Sequence, residues 1–477
     1  MTPRFAIHGF EFFSHPTRTR FPFRYGIASM TEVPHLFVRV RLQVDGSEVI
    51  GLASEGLPPK WFTKNLATTF EQDLPEMLSV IQNAASLATG IASESVTFFE
   101  FWQELYRQQD SWAAIQKIAP LLANLGVSLV ERAVLDAFCR AMQKPLHEIL
   151  RQNLIGVKLG AIYPELADAT PGDLLPEQPR STIQIRHTVG LTDPITPGDI
   201  LEAERVNDGL PQDLESCIRT YGLGAFKIKL AGKADHDLAR LIALNETITR
   251  ASRGDFLITL DGNENFKGFA EFREFWARLR DEGALRNFIS KVAIVEQPVH
   301  RDHALSEAAC DVLHGWKDRP CLIIDESEAA LGDLPRALAL GYQGTSHKNC
   351  KGIIKGLANA CLLAHRRRRG DRVELTGEDL ANLGPVALLQ DLAMMATLGI
   401  AHVERNGHHY FRGLSLWPDH WQKTILANHG DLYHQHERGF TTLRVEHGAV
   451  IIDSVNQVPF GLKPLLDPAQ FATPLHA

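Results

Sequence analysis

The sequence contains no apolar stretch long enough for a signal sequence or a membrane span, so a cytoplasmic protein is expected. Its six cysteines include no Cys-x-x-Cys pair and no zinc-like spacing, which predicts reduced and mostly buried thiols. A strong charge of one sign is missing as well, because the formal net charge is −8 and acidic and basic residues are interspersed. Neither a nucleic acid nor a membrane is therefore expected as a partner.

The chain does have length and apolar content. Its 477 residues, 44% of them hydrophobic, can bury a large core and suggest two or three domains, or one barrel with an attached domain. Residues 36–54 alternate apolar and polar positions around the turn pair Asp45-Gly46, which predicts an antiparallel hairpin. From about residue 65 to residue 150, apolar residues recur at helical spacing instead. The first third of the chain is therefore predicted to be α+β.

From Thr182 onward, short apolar runs alternate with amphipathic helical stretches. Most of the runs are almost continuously apolar, as in parallel strands that helices cover, and they recur at about 31 residues, the spacing of a (β/α)8 barrel. No glycine-rich dinucleotide loop follows any of them, which favours a TIM-type barrel over a doubly wound open sheet. The runs are residues 183–191, 225–230, 256–261, 291–296, 321–325, 344–348, 372–376 and 399–404.

These patterns divide the chain into four parts. Residues 1–150 are predicted to form an α+β capping domain, and residues 151–181, rich in proline and polar groups, a linker or insertion. Residues 182–405 are the predicted barrel. Residues 406–477 contain further strand-like pieces and are predicted to return to the cap.

Charged residues end five consecutive predicted strands, and the carboxyl ends of barrel strands meet at one mouth. Three carboxylates packed together in a dry pocket repel one another unless a cation joins them, and magnesium suits such an oxygen ligand set. Lysines beside a dication would have a lowered pKa and act as bases. The set predicts removal of the α-proton of a carboxylate substrate, with a metal stabilising the enediolate. The residues are Lys227, Lys229, Asp261, Glu296, Asp325 and Lys348.

Four motifs carry a family resemblance. In their order and spacing they resemble the barrel motifs of the mandelate racemase and muconate lactonizing enzyme branches of the enolase superfamily. Near the N-terminus, residues 19–27 are similar to the loop that closes over substrate in that family, and residues 51–57 to its second cap loop. The motifs are Phe226-Lys-Ile-Lys-Leu, Leu260-Asp-Gly-Asn-Glu-Asn, Val295-Glu-Gln-Pro and Ile324-Asp-Glu-Ser.

The resemblance implies a role for each residue. Lys229 would be the base on one face of the substrate and Lys348 the acid or base on the other, as in the muconate lactonizing enzyme branch. Lys227 would hold the substrate carboxylate or tune Lys229. Two opposed lysines permit racemisation or epimerisation, whereas one base suffices for cycloisomerisation or dehydration. The implied Mg²⁺ ligands are Asp261, Glu296 and Asp325, with Asn263 in the next layer.

Alternatives stay open at this point. Glu326 could replace Asp325 as a ligand, and Lys351 competes with Lys348 for the catalytic role. Lys227 and Lys229 could also be ordinary strand-end lysines with solvated heads. For the whole protein, the alternatives are a metal-independent enzyme that forms a Schiff base on lysine, or an inactive binding homologue. In either enzyme the partner is a small-molecule substrate, and a homo-oligomer is expected.

Two further clusters have simpler interpretations. His402-Val-Glu404 and the pair His408-His409 contain candidate metal ligands, but no Glu-flanked His-x-x-x-His frame, so a surface or domain-contact role is predicted. The run His365-Arg-Arg-Arg-Arg-Gly is typical of a helix that ends with cations at the negative end of its dipole.

Overall fold

The computed structural model describes residues 2–25, 27–379, 383–405 and 407–475. Its strands are β1 (Arg4–Tyr25), β2 (Ala28–Val44), β3 (Ser47–Gly56), β4 (Val96–Thr97), β5 (Thr182–Val189), β6 (Ala225–Lys229), β7 (Leu257–Asp261), β8 (Val292–Glu296), β9 (Leu322–Ile323), β10 (Gly344–His347), β11 (Glu374–Glu378), β12 (His402–Arg405), β13 (Tyr433–Gln435), β14 (Thr441–Leu443), β15 (Ala449–Ile451) and β16 (Thr473–Leu475).

Helices occupy most of the remaining chain. They are α1 (Phe70–Ile91), α2 (Phe98–Gln116), α3 (Pro120–Met142), α4 (Leu146–Arg151), α5 (Leu159–Ile162), α6 (Pro171–Leu174), α7 (Leu214–Tyr221), α8 (Ala234–Ala251), α9 (Phe269–Asp281), α10 (Arg286–Ser290), α11 (Arg301–Ala304), α12 (Glu307–Gly315), α13 (Asp333–Leu340), α14 (Ile353–Arg368), α15 (Val386–Leu398), α16 (Gly407–Tyr410), α17 (Asp419–Asn428) and α18 (Asp453–Asn456).

The N-terminal sheet is antiparallel, with the strand order β16-β1-β2-β3. The predicted hairpin forms between β2 and β3, where Asp45 and Gly46 both have positive φ, as a tight two-residue turn requires. Its buried face packs on α3. A Cβ atom on Gly51 would lie 2.1 Å from the carbonyl oxygen of Ala133, so only glycine permits this approach of strand and helix.

The second sheet has nine strands: β5 to β12, which are parallel to one another, and β15, which pairs antiparallel with β5. The last strand, β12, pairs with the first, β5, and a parallel bridge between Ile324 and Thr345 joins β9 to β10. The sheet therefore closes on itself, with helices outside it. The prediction of eight parallel strands alternating with helices is confirmed.

The segment from residue 151 to residue 181 lies at the amino ends of the barrel strands. Its Glu177 lines a cavity together with Glu374, where β11 begins, and His402, where β12 begins. Tyr163 in the same segment donates a hydrogen bond of 2.5 Å to Asn359 of α14. The opposite, carboxyl ends of the strands face the N-terminal sheet. The four domain boundaries given above stay predictions.

Within the described ranges, no helix has both the length and the apolarity that crossing a bilayer requires. All six cysteines are free and four of them are buried, which confirms the expectation of reduced, mostly buried thiols.

The last strand, β16, pairs with β1 through Leu475 and Phe12, so residues 473–475 extend the N-terminal sheet.

Glu131 joins the cap to the barrel. This fully buried residue of α3 accepts a hydrogen bond from the backbone N–H of Ile353, the first residue of α14. Burial raises the pKa of Glu131 to about 7, although the N–H groups of Ile353 and Ile354 oppose the shift. Ionised Glu131 is therefore costly in the folded protein at neutral pH.

We expect Glu131→Gln to change how stability depends on pH. The unfolded carboxyl loses its proton near pH 4.5 and the folded one near pH 7, so the wild type loses stability as pH rises through this window. The variant lacks this loss, and its advantage should grow to about 3 kcal/mol above the window. Urea unfolding below pH 4.5 and above pH 7 measures it. Exposed Glu76→Gln on α1 is the control, and parallel stability curves for wild type and Glu131→Gln would contradict the prediction.

Candidate active site

The strand ends place the predicted residues side by side. Lys229, Asp261 and Glu296 are the last residues of β6, β7 and β8, and they pair in register across the three strands. Side chains alternate along a strand, so Lys227 and Lys229 share the inner face of the barrel while Phe226 and Ile228 pack outward against helices. The two lysines are therefore buried, and the interpretation as solvated strand-end lysines is wrong.

The Lys227 ammonium lies at the centre of the barrel mouth, with its side chain 1% exposed. Its Nζ donates to Glu296, Glu378 and Glu404 at 2.7–2.8 Å, and it lies 3.0 Å from Asp261. An ammonium has three hydrogens, and all three are used. Of the two roles suggested for Lys227, this geometry favours tuning Lys229 over holding a substrate carboxylate.

Lys229 lines the cavity at the barrel mouth and contacts the same oxygen of Asp261 as Lys227 does. Its Nζ lies 2.6 Å from Asp261 Oδ2 and 3.8 Å from Glu404 Oε1. Burial lowers the pKa of Lys229, but attraction to Asp261 and Glu404 outweighs burial, so the pKa is raised. The neighbouring charge of Lys227 acts in the lowering direction. Asn263 completes this side, since its backbone N–H donates to Asp261 Oδ1 at 2.8 Å.

Lys348 and Lys351 differ in where they point. Lys348 lines the same cavity as Lys229, with its Nζ 3.0 Å from Asp325 Oδ2 and in direct contact with Glu378. Lys351 lies behind Asp325, bonded at 2.8 Å to its backbone oxygen and at 3.1 Å to that of Ser346. Only Lys348 of the two is placed to meet a substrate in this cavity.

Asp325 and Glu326 also point to different places: Asp325 lines the same cavity as Lys348, and Glu326 does not. Asp325 contacts both Lys348 and Lys351, which lower its pKa despite burial. Glu326 instead lines a small neighbouring cavity with Glu264 and Arg301. Burial, followed by repulsion from Asp325, raises the pKa of Glu326 to about 8.

Two carboxylates at the site were not among the predicted residues. Glu378 ends β11 and Glu404 lies near the end of β12, and both contact Lys227. The sequence carries a signal for both, because Glu378 lies two residues beyond the seventh predicted run and Glu404 ends the eighth. The predicted set ends at the sixth strand, although the sequence also offers Glu404 as a candidate metal ligand.

A cavity lies between the barrel and the cap. The cap supplies an apolar roof, and the barrel supplies a charged floor. The roof residues are Phe23, Tyr25, Met30, Pro58 and Trp61, and the floor residues are Lys229, Asn263, Asp325, Lys348, Asp379 and Glu404. Residues of the first loop that resembles a family cap loop, Phe23 and Tyr25, thus cover the charged floor.

The charges of the site are balanced in part by its own lysines. The sequence predicts a cation here because three carboxylates cannot all stay ionised together in a dry pocket. The lysines already supply positive charge. Four carboxylates pair with the buried ammonium of Lys227, and Asp325 pairs with that of Lys348. Burial lowers the pKa values of Lys227, Lys229 and Lys348, but attraction to the neighbouring carboxylates outweighs burial, so all three are raised.

The carboxylates also fit a metal ion. One oxygen each of Glu296, Asp325 and Glu378 lie within 4.8 Å of one another. Glu296 Oε2 is buried without a hydrogen-bond partner, as expected of a ligand atom. Two of these three acids belong to the predicted set. The third predicted acid, Asp261, shares Lys227 with Glu296.

The fold is shared with solved structures named as mandelate racemase/muconate lactonizing proteins. One, from Herpetosiphon aurantiacus, has 16% sequence identity and a TM-score of 0.58, covering 96% of this chain and 98% of that one. A muconate lactonizing enzyme from Pseudomonas fluorescens, complexed with muconolactone, has 18% identity and a TM-score of 0.58, covering 98% and 99%.

A third structure is a dipeptide epimerase from Enterococcus faecalis, complexed with Mg and a dipeptide. It has 14% identity and a TM-score of 0.57, covering 96% of this chain and 99% of that one. No protein-family model and no curated protein sequence matches the chain. The structures sharing this fold thus bear the names of enzymes, and at these identities the likeness concerns the fold.

Proposed function

We propose that this protein is a magnesium-dependent enzyme that removes the α-proton of a carboxylate substrate through an enediolate, as a racemase or epimerase, a cycloisomerase or a dehydratase. The observation that carries the proposal is the placement of Lys229 and Lys348 in one cavity above a cluster of buried carboxylates. The names of the structures with the same fold, which include an epimerase and a lactonizing enzyme, support this class of reaction.

The two lysines come from opposite sides of the barrel. Lys229 ends β6, the second strand of the ring, and Lys348 follows β10, the sixth, so half of an eight-stranded ring separates them. A substrate carbon between them is within reach of a base on either face. This arrangement supports membership of the muconate lactonizing enzyme branch and suits proton removal on one face with return on the other.

The ligands proposed for Mg²⁺ are Asp261, Glu296 and Asp325, with Glu378 as a further oxygen donor. When bound, the ion supplies positive charge opposite the carboxylate of the substrate. Asp261 orients the Lys229 amine through its 2.6 Å contact, and Lys227 lowers the affinity of that amine for a proton. The apolar roof excludes water from the base. In this roof the centroid of the Trp61 ring lies 5.3 Å from Lys348 Nζ.

Deuterium exchange tests the reaction without knowledge of the product. Acid sugars, N-acyl amino acids and dipeptides would be incubated with the protein in D₂O and examined for deuterium at the α-carbon. Exchange that EDTA abolishes and Mg²⁺ restores is expected. A Schiff-base enzyme would instead be trapped by borohydride in the presence of EDTA, and that result would overturn the proposal.

Magnesium binding itself can be measured by calorimetry without a substrate. We expect Glu296→Gln to weaken Mg²⁺ binding by more than about tenfold, because it removes a carboxylate ligand from a hard-cation site. Glu374→Gln is the matched control, since Glu374 is exposed at the amino end of β11. Equal Mg²⁺ affinities for wild type and Glu296→Gln would remove Glu296 from the ligand set.

A further inference from the structure

A second cluster of ligand-type side chains lies outside the barrel interior. Thr188 of β5 faces inward and donates to Glu404 at 2.7 Å, so its neighbour His187 faces outward toward the helices. There His187 meets Cys217 of α7 and the pair His408 and His409 of α16. All four side chains are buried. The expectation of a surface position for the histidine pair is wrong, whereas His409 does contact the cap through Phe21.

The distances in this cluster match those of a metal site. One ring nitrogen of His187, Sγ of Cys217 and one ring nitrogen of His409 lie within 4.8 Å of one another. Cys217 Sγ is 3.5 Å from His409 Nδ1. Tetrahedral zinc with its usual bond lengths places a sulfur and a nitrogen ligand about 3.6 Å apart.

The chemistry of the donors fits as well. Burial lowers the pKa of His187 to about 3, and it lowers the pKa of His409 well below its usual value. Both imidazoles are therefore neutral, which is the form that binds metals. His408 Nε2 lies 2.9 Å from His187 Nδ1, and His408 Nδ1 is buried without a hydrogen-bond partner.

We propose that His187, Cys217 and His409 form a zinc site that is separate from the carboxylate site. His408 is a positioning residue, which orients His187 as the outer partners of metal-bound histidines do. Two imidazoles and a thiolate are soft enough to prefer Zn²⁺ to Mg²⁺, whereas the barrel mouth offers only oxygen. On binding, the ion forms a bond to Sγ of Cys217, and the thiol proton leaves to solvent.

The site lies where the barrel closes. His187 belongs to the first strand of the ring, and α16 begins directly after β12, the strand that pairs with it. Arg20 of β1 donates a hydrogen bond of 2.6 Å to the carbonyl oxygen of His409. A zinc ion here links the first strand, its following helix and the segment after the last strand, next to the cap strand that carries Phe23 and Tyr25. We therefore assign it a stabilising role at this seam.

The test uses the full-length protein stripped with a chelator and then desalted. Zinc is added in the presence of excess Mg²⁺, which competes for the oxygen ligands of the barrel mouth, and the zinc retained per chain is measured. One zinc per chain is expected for wild type and for Cys361→Ser, which removes another buried thiol in α14. Cys217→Ser should reduce zinc affinity by more than about 100-fold, and the increase in Tm that zinc gives the wild type should vanish.

Cobalt gives a spectroscopic readout that can be measured in the wild-type protein. Co²⁺ bound by Cys217 produces a thiolate-to-metal absorption band, which carboxylate-bound Co²⁺ cannot produce. His409→Gln should lose the band and the retained zinc, even if Cys217→Ser does not fold. A wild-type cobalt spectrum without a thiolate band, or equal zinc retention by wild type and a folded Cys217→Ser protein, would overturn the proposal.

Discussion

Lys229→Ala is expected to reduce the rate of α-proton exchange by about 10²–10⁴-fold, the usual contribution of a positioned general base. Lys229 Nζ lines the cavity floor and is held by Asp261, and no other lysine on its side of the described cavity could replace it. Deuterium incorporation into the α-carbon of the substrate measures the effect. Because the protein keeps Lys227 among the carboxylates, the variant should fold and bind Mg²⁺.

Lys348→Ala separates a one-base from a two-base enzyme. If the protein racemises its substrate, each lysine variant should still exchange the α-proton of one enantiomer and fail with the other. Lys291→Ala serves as the control, because Lys291 pairs with Asp255 at the amino end of the barrel strands. A Lys229→Ala protein that exchanges the α-proton of both enantiomers at the wild-type rate would exclude Lys229 as the base.

Lys227→Met is expected to have the largest effect on stability. It leaves Asp261, Glu296, Glu378 and Glu404 buried around an apolar side chain, and removing one partner from a buried ion pair costs about 3–5 kcal/mol. The uncompensated carboxyls then have a raised pKa in the folded state, so the loss should shrink as pH falls. Urea unfolding at several pH values measures both quantities.

Magnesium should restore much of the stability that Lys227→Met loses, because a divalent ion supplies the charge that the ammonium gave. Lys355→Met is the matched control. It also breaks a buried pair, with Glu328 at 3.1 Å, but lies outside the carboxylate cluster. Equal rescue of both variants by Mg²⁺ would show that the ion acts elsewhere, and no loss in Lys227→Met would contradict the central role of Lys227.

The sequence by itself determined the order of the elements and the strand ends. Apolar runs at regular intervals predict eight covered parallel strands, because each strand must bury both faces between the interior and a helix. Since a strand's last residue lies at the barrel mouth, Lys229, Asp261 and Glu296 could be assigned to one place without coordinates. The cap hairpin followed equally from alternation and from Asp45-Gly46.

The tertiary structure alone decided which charged groups meet. Lys348 and Lys351, or Asp325 and Glu326, are near neighbours in sequence, yet one of each pair faces the cavity and the other does not. The four carboxylates around Lys227 come from four strands. The cluster of His187, Cys217, His408 and His409 comes from three separate segments of the chain. Local periodicity specifies which face a residue occupies, but distances of a few ångströms between remote side chains depend on how the strands close, and that is a property of the packed chain.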